Sequence, residues 1–177
     1  MKPVKLSVRK IVELVLRAGD INSGFGDSTA AYLGVAAHRK LQSQAGENYS
    51  KEVSLKFNTV VDDIPVLIQG RADGIITEEN GDILIDEIKS TKTPLDIFYN
   101  QHGEHLAQGK CYAFMYLKTL ENPPGSIAVR LTYFHLDTEE IRRHVWTFTD
   151  KELEDFFMGM LKKYGIWLRH EIDWKAT

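Results

Sequence analysis

Residues 70–89 have the sequence GRADGIITEENGDILIDEIK, in which two strand patterns flank a turn signal. β-Branched and apolar residues dominate 72–77 and 82–90, and Asn80-Gly81 between them is typical of a tight β-hairpin. A further strand pattern over 51–58 precedes this pair after a short link. We therefore expect three consecutive strands in an antiparallel meander.

Charged residues interrupt the apolar pattern of this hairpin. Asp73 lies early on its first strand, whereas Glu87 and Lys89 lie near the end of the second, two residues apart. Their side chains therefore share the strand face that carries Ile83 and Ile85. Buried charges need partners or a metal. Two carboxylates that meet across a hairpin, beside a lysine, suit a hard divalent cation and a phosphate.

The alternative interpretation is a surface salt bridge at a strand end, because E-x-K is a common strand pattern. The order of Asp73, a hairpin and then D-E-I-K favours a catalytic site over that alternative. Asp86 is not the acid of this motif, since it points to the opposite face from Lys89.

The remaining pattern predicts a mixed α/β (α+β) fold with a central mixed sheet flanked by helices. Strands are expected over 127–136 and 141–148, and helices over 8–18, 28–44, 95–120 (with a kink near Gly103) and 150–169. At 177 residues with 43% hydrophobic content, the chain is expected to form a single domain over residues 1–177.

Composition limits the partners and the compartment. The net charge of −3 provides no global basic field for nucleic acid, although a basic groove can be local. No apolar run approaches the ~20 residues of a membrane span, and no signal-peptide pattern precedes residue 10. A single cysteine, Cys111, excludes an internal disulfide framework. We therefore expect a cytoplasmic protein with no membrane partner, and the absence of a P-loop motif excludes a nucleotide-driven motor.

Three helical residues are further candidates for the site. His38 lies near the middle of the second predicted helix, and Gln108 and Tyr112 share one face of the third because they are four residues apart. A lone helical histidine is more often packed or exposed than a ligand. The glutamine and tyrosine also fit a polar edge beside a core.

With Asp73, Glu87 and Lys89 on its three motif positions, the chain resembles the PD-(D/E)xK nuclease superfamily. This resemblance implies a restriction-endonuclease-like core. Within the superfamily the chain is similar to the RecB-like exonuclease group, which carries a helical histidine before the sheet and Q-x-x-x-Y after it, as at His38, Gln108 and Tyr112. Nuclease domains of RecB-type, CRISPR-associated and helicase-fused bacterial nucleases show the same order, and the resemblance covers about residues 28–136.

The resemblance implies a Mg²⁺ or Mn²⁺ site. Asp73 and Glu87 would be ligands, together with the Ile88 carbonyl and His38, and the imidazole shifts the preference toward Mn²⁺. Many relatives hold an iron–sulfur cluster through four cysteines. A chain with one cysteine cannot hold such a cluster.

The resemblance also assigns roles around the metal. Lys89 would hold the attacking water or neutralise charge on the phosphate, and Gln108 and Tyr112 would position Lys89 or the nucleic-acid strand. Glu52 is expected either to support the site from outside the ligand set or to be a solvated strand residue. For any one basic residue near the motif, an ordinary surface charge is the favoured interpretation. The candidates for phosphate contacts are Arg39, Lys40, Arg71, Lys92 and Lys110.

The expected function is that of a metal-dependent deoxyribonuclease, an exonuclease acting on single-stranded DNA ends in repair or recombination. A helicase, fused or separate, would be the partner that supplies unwound strand. One alternative is a catalytically idle nucleic-acid-binding module that accompanies a helicase or a CRISPR complex. Another is a small-molecule metal enzyme on an unrelated fold, which would need a closed pocket.

Overall fold

The computed structural model describes residues 1–16, 28–98 and 103–177, apart from the side chains of 28–32. These residues form six strands and five helices. They are β1 (Val4–Ser7), α1 (Val8–Leu16), α2 (Ser28–Ser43), β2 (Tyr49–Val61), β3 (Ile64–Thr77), β4 (Ile83–Thr91), α3 (Leu95–Phe98), α4 (Gly103–Leu117), β5 (Ser126–His135), β6 (Ile141–Thr149) and α5 (Asp150–Ala176).

The six strands form one mixed sheet in the order β1-β3-β4-β5-β6, with β2 paired to β3. The predicted meander is confirmed, because β3 pairs antiparallel with both β2 and β4. β5 adds to β4 in parallel, and β6 adds to β5 antiparallel. The predicted central mixed sheet flanked by helices is therefore confirmed.

The predicted turn between β3 and β4 forms at Asn80-Gly81. Gly81 has φ +93°, a left-handed backbone that favours glycine, and its N–H donates to the Glu78 carbonyl at 3.0 Å. The Asn80 side chain accepts a hydrogen bond from the Asp82 N–H at 3.0 Å. Local turn chemistry thus fixes the hairpin register that places Asp73 near Glu87.

The sheet forks along the edge of β3 that faces away from β2. On that edge, residues 66–69 pair in parallel with β1, and residues 74–77 pair with β4. Residues 70–73 separate the two pairings, so a gap opens between β1 and β4 beside Asp73. β1 was not predicted, because four residues that run directly into α1 carry no strand signal of their own.

Helices cover both faces of the sheet. α1, α4 and α5 share the larger core with Ile85 of β4 and Val129 of β5. α2 packs on the other face, where Ala37 and Leu41 contact Ile88 of β4. The gap beside Asp73 is therefore approached by α2 from one face and by α4 from the other.

Helix boundaries differ from the prediction in two places. The single helix expected over 95–120 is described as α3 and α4, and the linking residues 99–102 lie outside the described part of the chain, as do 17 and 18 of the first predicted helix. α5 begins with a capping box of Thr149 and Glu152, which the T-x-x-E pattern at 149–152 predicts, and it continues past the expected end at 169 to Ala176. Its last turns lack an apolar stripe and gain a Lys175–Glu171 pair at 2.9 Å. Among the described residues, no helix is long and apolar enough to cross a bilayer.

Asp86 is buried on the α2 side of the sheet, with both carboxylate oxygens hydrogen-bonded. The Tyr49 hydroxyl donates to Oδ2 at 2.7 Å, while Arg130 Nε and Thr132 Oγ1 donate to Oδ1 at 2.9 and 2.7 Å. The residue therefore points away from the face of Lys89, as expected from the strand period.

The Gly74→Ala variant tests this network. A Cβ at Gly74 would lie 1.9 Å from Cζ of Tyr49, so alanine must displace the ring and remove a donor from Asp86. We expect the free energy of unfolding to fall by about 2–4 kcal/mol. The control is Gly159→Ala in α5, where a Cβ would meet nothing within 4 Å; it should gain up to about 1 kcal/mol. Urea denaturation measures both, and a Gly74→Ala variant as stable as the wild type would contradict the packing.

Cys111 is buried in the larger core, and burial raises the pKa of its thiol to about 12. The folded state therefore holds the thiol proton at pH 8, where the nucleophilic thiolate would otherwise form. A disulfide reagent should leave native protein unmodified at pH 8 and label one thiol in denaturant. Rapid labelling of native protein would show that the core opens readily at α4.

Candidate active site

Asp73 lies at the fork, where β3 pairs with neither β1 nor β4. Its side chain makes the contact with β4 that backbone pairing does not make there. Its Oδ2 accepts a hydrogen bond from the Ile88 N–H at 2.7 Å, and its side chain is only 16% exposed. The pairing of β3 with β4 ends at Gly74 and Asp86, so this bond is the next link between the strands. The carboxylate is thereby fixed against β4.

Glu87 and Lys89 face α4, which lies on the opposite face of the sheet from α2. Lys89 Nζ lies 3.1 Å from Glu87 Oε2 and donates to Gln108 Oε1 at 2.8 Å. Glu87 and Gln108 are buried. The ammonium is therefore fixed by one carboxylate from β4 and one amide from α4, as the sequence pattern placed them.

His38 reaches the site from α2. Its Nδ1 lies 3.6 Å from Asp73 Oδ1, an ion-pair distance when the imidazole is protonated. Ala37 and Leu41 set this orientation, because they fasten the helix to Ile88.

Tyr112 closes the gap from the α4 side. Its ring lies 2.5 Å from where a Cβ of Gly70 would stand, so glycine at this position makes room for the tyrosine. Tyr112 is buried, and its pKa is raised first by burial and then by the negative charges of Glu87 and Asp73. Its hydroxyl is therefore a protonated donor within the field of both carboxyl groups.

The two carboxyl groups have opposite pKa shifts. Burial raises the pKa of Glu87 to about 8; Lys89 opposes that shift, and the charge of Asp73 adds to it. Burial also acts to raise the pKa of Asp73, but the nearby His38 imidazole and the hydrogen bond from the Ile88 N–H outweigh it and hold that pKa below its ordinary value. The pair therefore keeps one proton near neutral pH, as two carboxyls in one site do.

The donor set fits a small hard cation. A divalent ion in place of the retained proton would neutralise both carboxylates, and carboxylate oxygens are the ligands that Mg²⁺ prefers. Among the described residues, no group of three or more histidine, cysteine, aspartate or glutamate side chains is arranged to hold a metal ion. Mg²⁺ is commonly held by one or two carboxylates with waters and substrate phosphates, so Asp73 and Glu87 suffice. Within the described residues, Ile88 contacts the site through its backbone N–H, which donates to Asp73.

Gln42 was not predicted as a site residue. It is buried, and its Nε2 donates at 2.9 Å to the backbone oxygen of Asp73 and at 2.9 Å to Glu52 Oε1. Glu52 in turn pairs with Arg71 at 2.7 Å. The sequence feature that could have identified Gln42 is its position four residues after His38, which puts both side chains on one face of α2.

Three of the candidate phosphate contacts have partners within the protein. Lys110 Nζ lies 3.8 Å from the ring centroid of Phe156, and Lys40 pairs with Glu139 at 2.7 Å. Arg71 pairs with Glu52, as described above. Arg39 and Lys92 are exposed.

The mixed sheet thus brings the buried Glu87, the largely buried Asp73 and Lys89 together at the fork, and these are the three motif positions of the PD-(D/E)xK nucleases. The family model of the PD-(D/E)XK nuclease superfamily matches residues 8–172, and the chain belongs to this superfamily. The predicted superfamily is confirmed, whereas the narrower RecB-like group stays a prediction.

A comparison with solved structures finds a similar fold. The fold is similar to the crystal structure of SSO0001, with a TM-score of 0.58 and 21% sequence identity, over 89% of this chain and 77% of that chain. At this identity the likeness concerns the fold alone. The comparison with curated proteins gives no match.

Proposed function

We propose that this protein is a metal-dependent nuclease that hydrolyses DNA phosphodiester bonds at the fork of the sheet beside Asp73. The observation that carries the proposal is the buried pair of Asp73 and Glu87 with Lys89 beside it, on the fold of a nuclease superfamily. The proposal treats residues 1–177 as one nuclease domain.

Each site residue has a role that follows from its contacts. A Mg²⁺ or Mn²⁺ ion held by Asp73 and Glu87 would supply an acidified water and polarise the phosphate. Lys89 donates hydrogen bonds to the water or to the phosphate oxygens, where negative charge develops. Gln108 aims the ammonium through its Oε1. Tyr112 packs over Gly70 at the gap, where its hydroxyl would donate a hydrogen bond that positions Lys89 or the nucleic-acid strand.

His38 has two roles in this proposal. In the arrangement described, it stabilises the ionised form of Asp73. By resemblance we also propose it as an additional ligand, together with the Ile88 carbonyl. An imidazole ligand would favour Mn²⁺ over Mg²⁺.

The proposed substrate is the end of a single DNA strand. A narrow site admits one strand more easily than a duplex, since melting costs roughly 1.4 kcal/mol per base-pair step. The sequence has no P-loop motif to drive that melting. We therefore propose a helicase, fused or separate, as the partner in repair or recombination.

The test compares labelled linear single strands, closed circular single strands and blunt duplex, each with Mg²⁺, Mn²⁺ or a chelator. We expect cleavage of the linear single strand that depends on metal, with the circle resistant. Equal cleavage of circle and linear strand would show an endonuclease and overturn the exonuclease assignment. Binding of DNA without cleavage under every condition would favour the idle binding module instead.

A further inference from the structure

We propose that Gln42 is a positioning residue that holds the backbone of Asp73 at the fork, and that Glu52 and Arg71 hold Gln42 in turn. The inference rests on the proposed function, because it concerns how the metal-binding carboxylate is oriented. None of these three residues touches the reacting atoms in the proposal.

The first observation is the interrupted pairing around Asp73. On the β2 side, the paired positions flanking it are Ala72 with Val53 and Gly74 with Lys51. On the other side, Asp73 faces the gap between β1 and β4. A residue at such a gap has less support from strand pairing, and the amide of Gln42 supplies a bond to its carbonyl oxygen at 2.9 Å.

The second observation is the spacing of two contacts along α2. His38 and Gln42 are one helical turn apart, and both reach Asp73, one at the carboxylate and the other at the backbone oxygen. Two contacts from one helix fix both the position and the orientation of the residue. Loss of the backbone contact would let the carboxylate move relative to Glu87.

The third observation is the backbone of Glu52. Its φ of +55° lies in the left-handed region, which is unfavourable for a residue with a side chain. In this conformation Oε1 accepts from Gln42 and Oε2 accepts from Arg71. The amide group of Gln42 has two hydrogens, so it serves Glu52 and Asp73 together. The unfavourable φ of Glu52 is thus retained at a position where it fixes the Glu52 side chain beside the site.

The test is a calorimetric titration of Mn²⁺ into Gln42→Met and Glu52→Gly, with urea denaturation of the same proteins. We expect both variants to bind Mn²⁺ about 10–100-fold more weakly, as is typical when a group supporting a ligand is removed. Glu52→Gly should keep or raise the urea midpoint, because glycine relieves the left-handed φ. Glu52→Gln, which retains an amide oxygen for Gln42, should keep most of the affinity.

The matched control is Asp63→Gly. Asp63 has φ +64° in the turn between β2 and β3, so glycine relieves the same kind of backbone without touching the site. Its Mn²⁺ affinity should equal that of the wild type. At saturating Mn²⁺, the cleavage rate of Gln42→Met should return to the wild-type value, because Lys89 and Gln108 are unchanged.

Three results would overturn the inference. Wild-type Mn²⁺ affinity in both Gln42→Met and Glu52→Gly would by itself overturn the inference, even if the two variants are less stable than the wild type. A cleavage defect that persists at saturating Mn²⁺ would do so as well, since it would place Gln42 in the chemical step. Wild-type protein that binds no Mn²⁺ would overturn the proposed metal site and this inference together.

Discussion

Replacing Lys89 with methionine should lower the rate of DNA cleavage by a factor on the order of 10² or more. The ammonium lies 3.1 Å from Glu87 and is held by Gln108, so it stands where it can donate to a water or phosphate at the carboxylate pair. Because a protonated ammonium has no lone pair, it is not a metal ligand. The variant should therefore keep its affinity for Mn²⁺ and most of its affinity for DNA.

The measurement combines single-turnover cleavage, Mn²⁺ calorimetry and DNA binding on the same preparation. Lys163→Met is the matched control, because Lys163 is exposed on α5. It should cleave at the wild-type rate. Near-normal cleavage by Lys89→Met would remove Lys89 from the mechanism, and parallel losses of metal and DNA affinity would show a structural defect instead.

Replacing Asp73 with asparagine should weaken Mn²⁺ binding as well as DNA cleavage, whereas Lys89→Met affects cleavage alone. The amide side chain has nearly the same shape and keeps an oxygen to accept from the Ile88 N–H, so the fork should stay folded. It removes the negative charge that a divalent ion needs. We expect Mn²⁺ affinity to fall by more than the ~10–100-fold typical of residues that only support a ligand.

Asp155→Asn provides the control for this charge change, since Asp155 is an exposed residue of α5 that pairs with Lys151. Its Mn²⁺ affinity and cleavage rate should match the wild type. Unchanged Mn²⁺ affinity in Asp73→Asn would place the metal site elsewhere. Unchanged cleavage in that variant would exclude the carboxylate pair from catalysis.

Local features of the sequence were sufficient for much of the fold. The hairpin at Asn80-Gly81 and the capping box at Thr149 were predictable, because turn and cap chemistry acts over a few residues. The strand period likewise placed Glu87 and Lys89 on one face and Asp86 on the other. The structure confirms the antiparallel meander and the mixed sheet that these features predict.

Long-range features could not be read in the same way. The parallel pairing of β1 with β3 joins residues about sixty positions apart, and the fork arises only because β1 and β4 share one edge of β3. Tyr49 reaches Asp86 only because Gly74 lacks a side chain. Gln42 contacts the Asp73 carbonyl from α2 and is held there by Glu52, whose left-handed backbone no local propensity favours.

The most direct test of the central claim is an anomalous difference map from crystals soaked in MnCl₂. The account predicts a peak at the fork between the carboxylates of Asp73 and Glu87, in place of the proton that they share. No peak between these two carboxylates, in crystals of protein that cleaves DNA with Mn²⁺, would contradict the account.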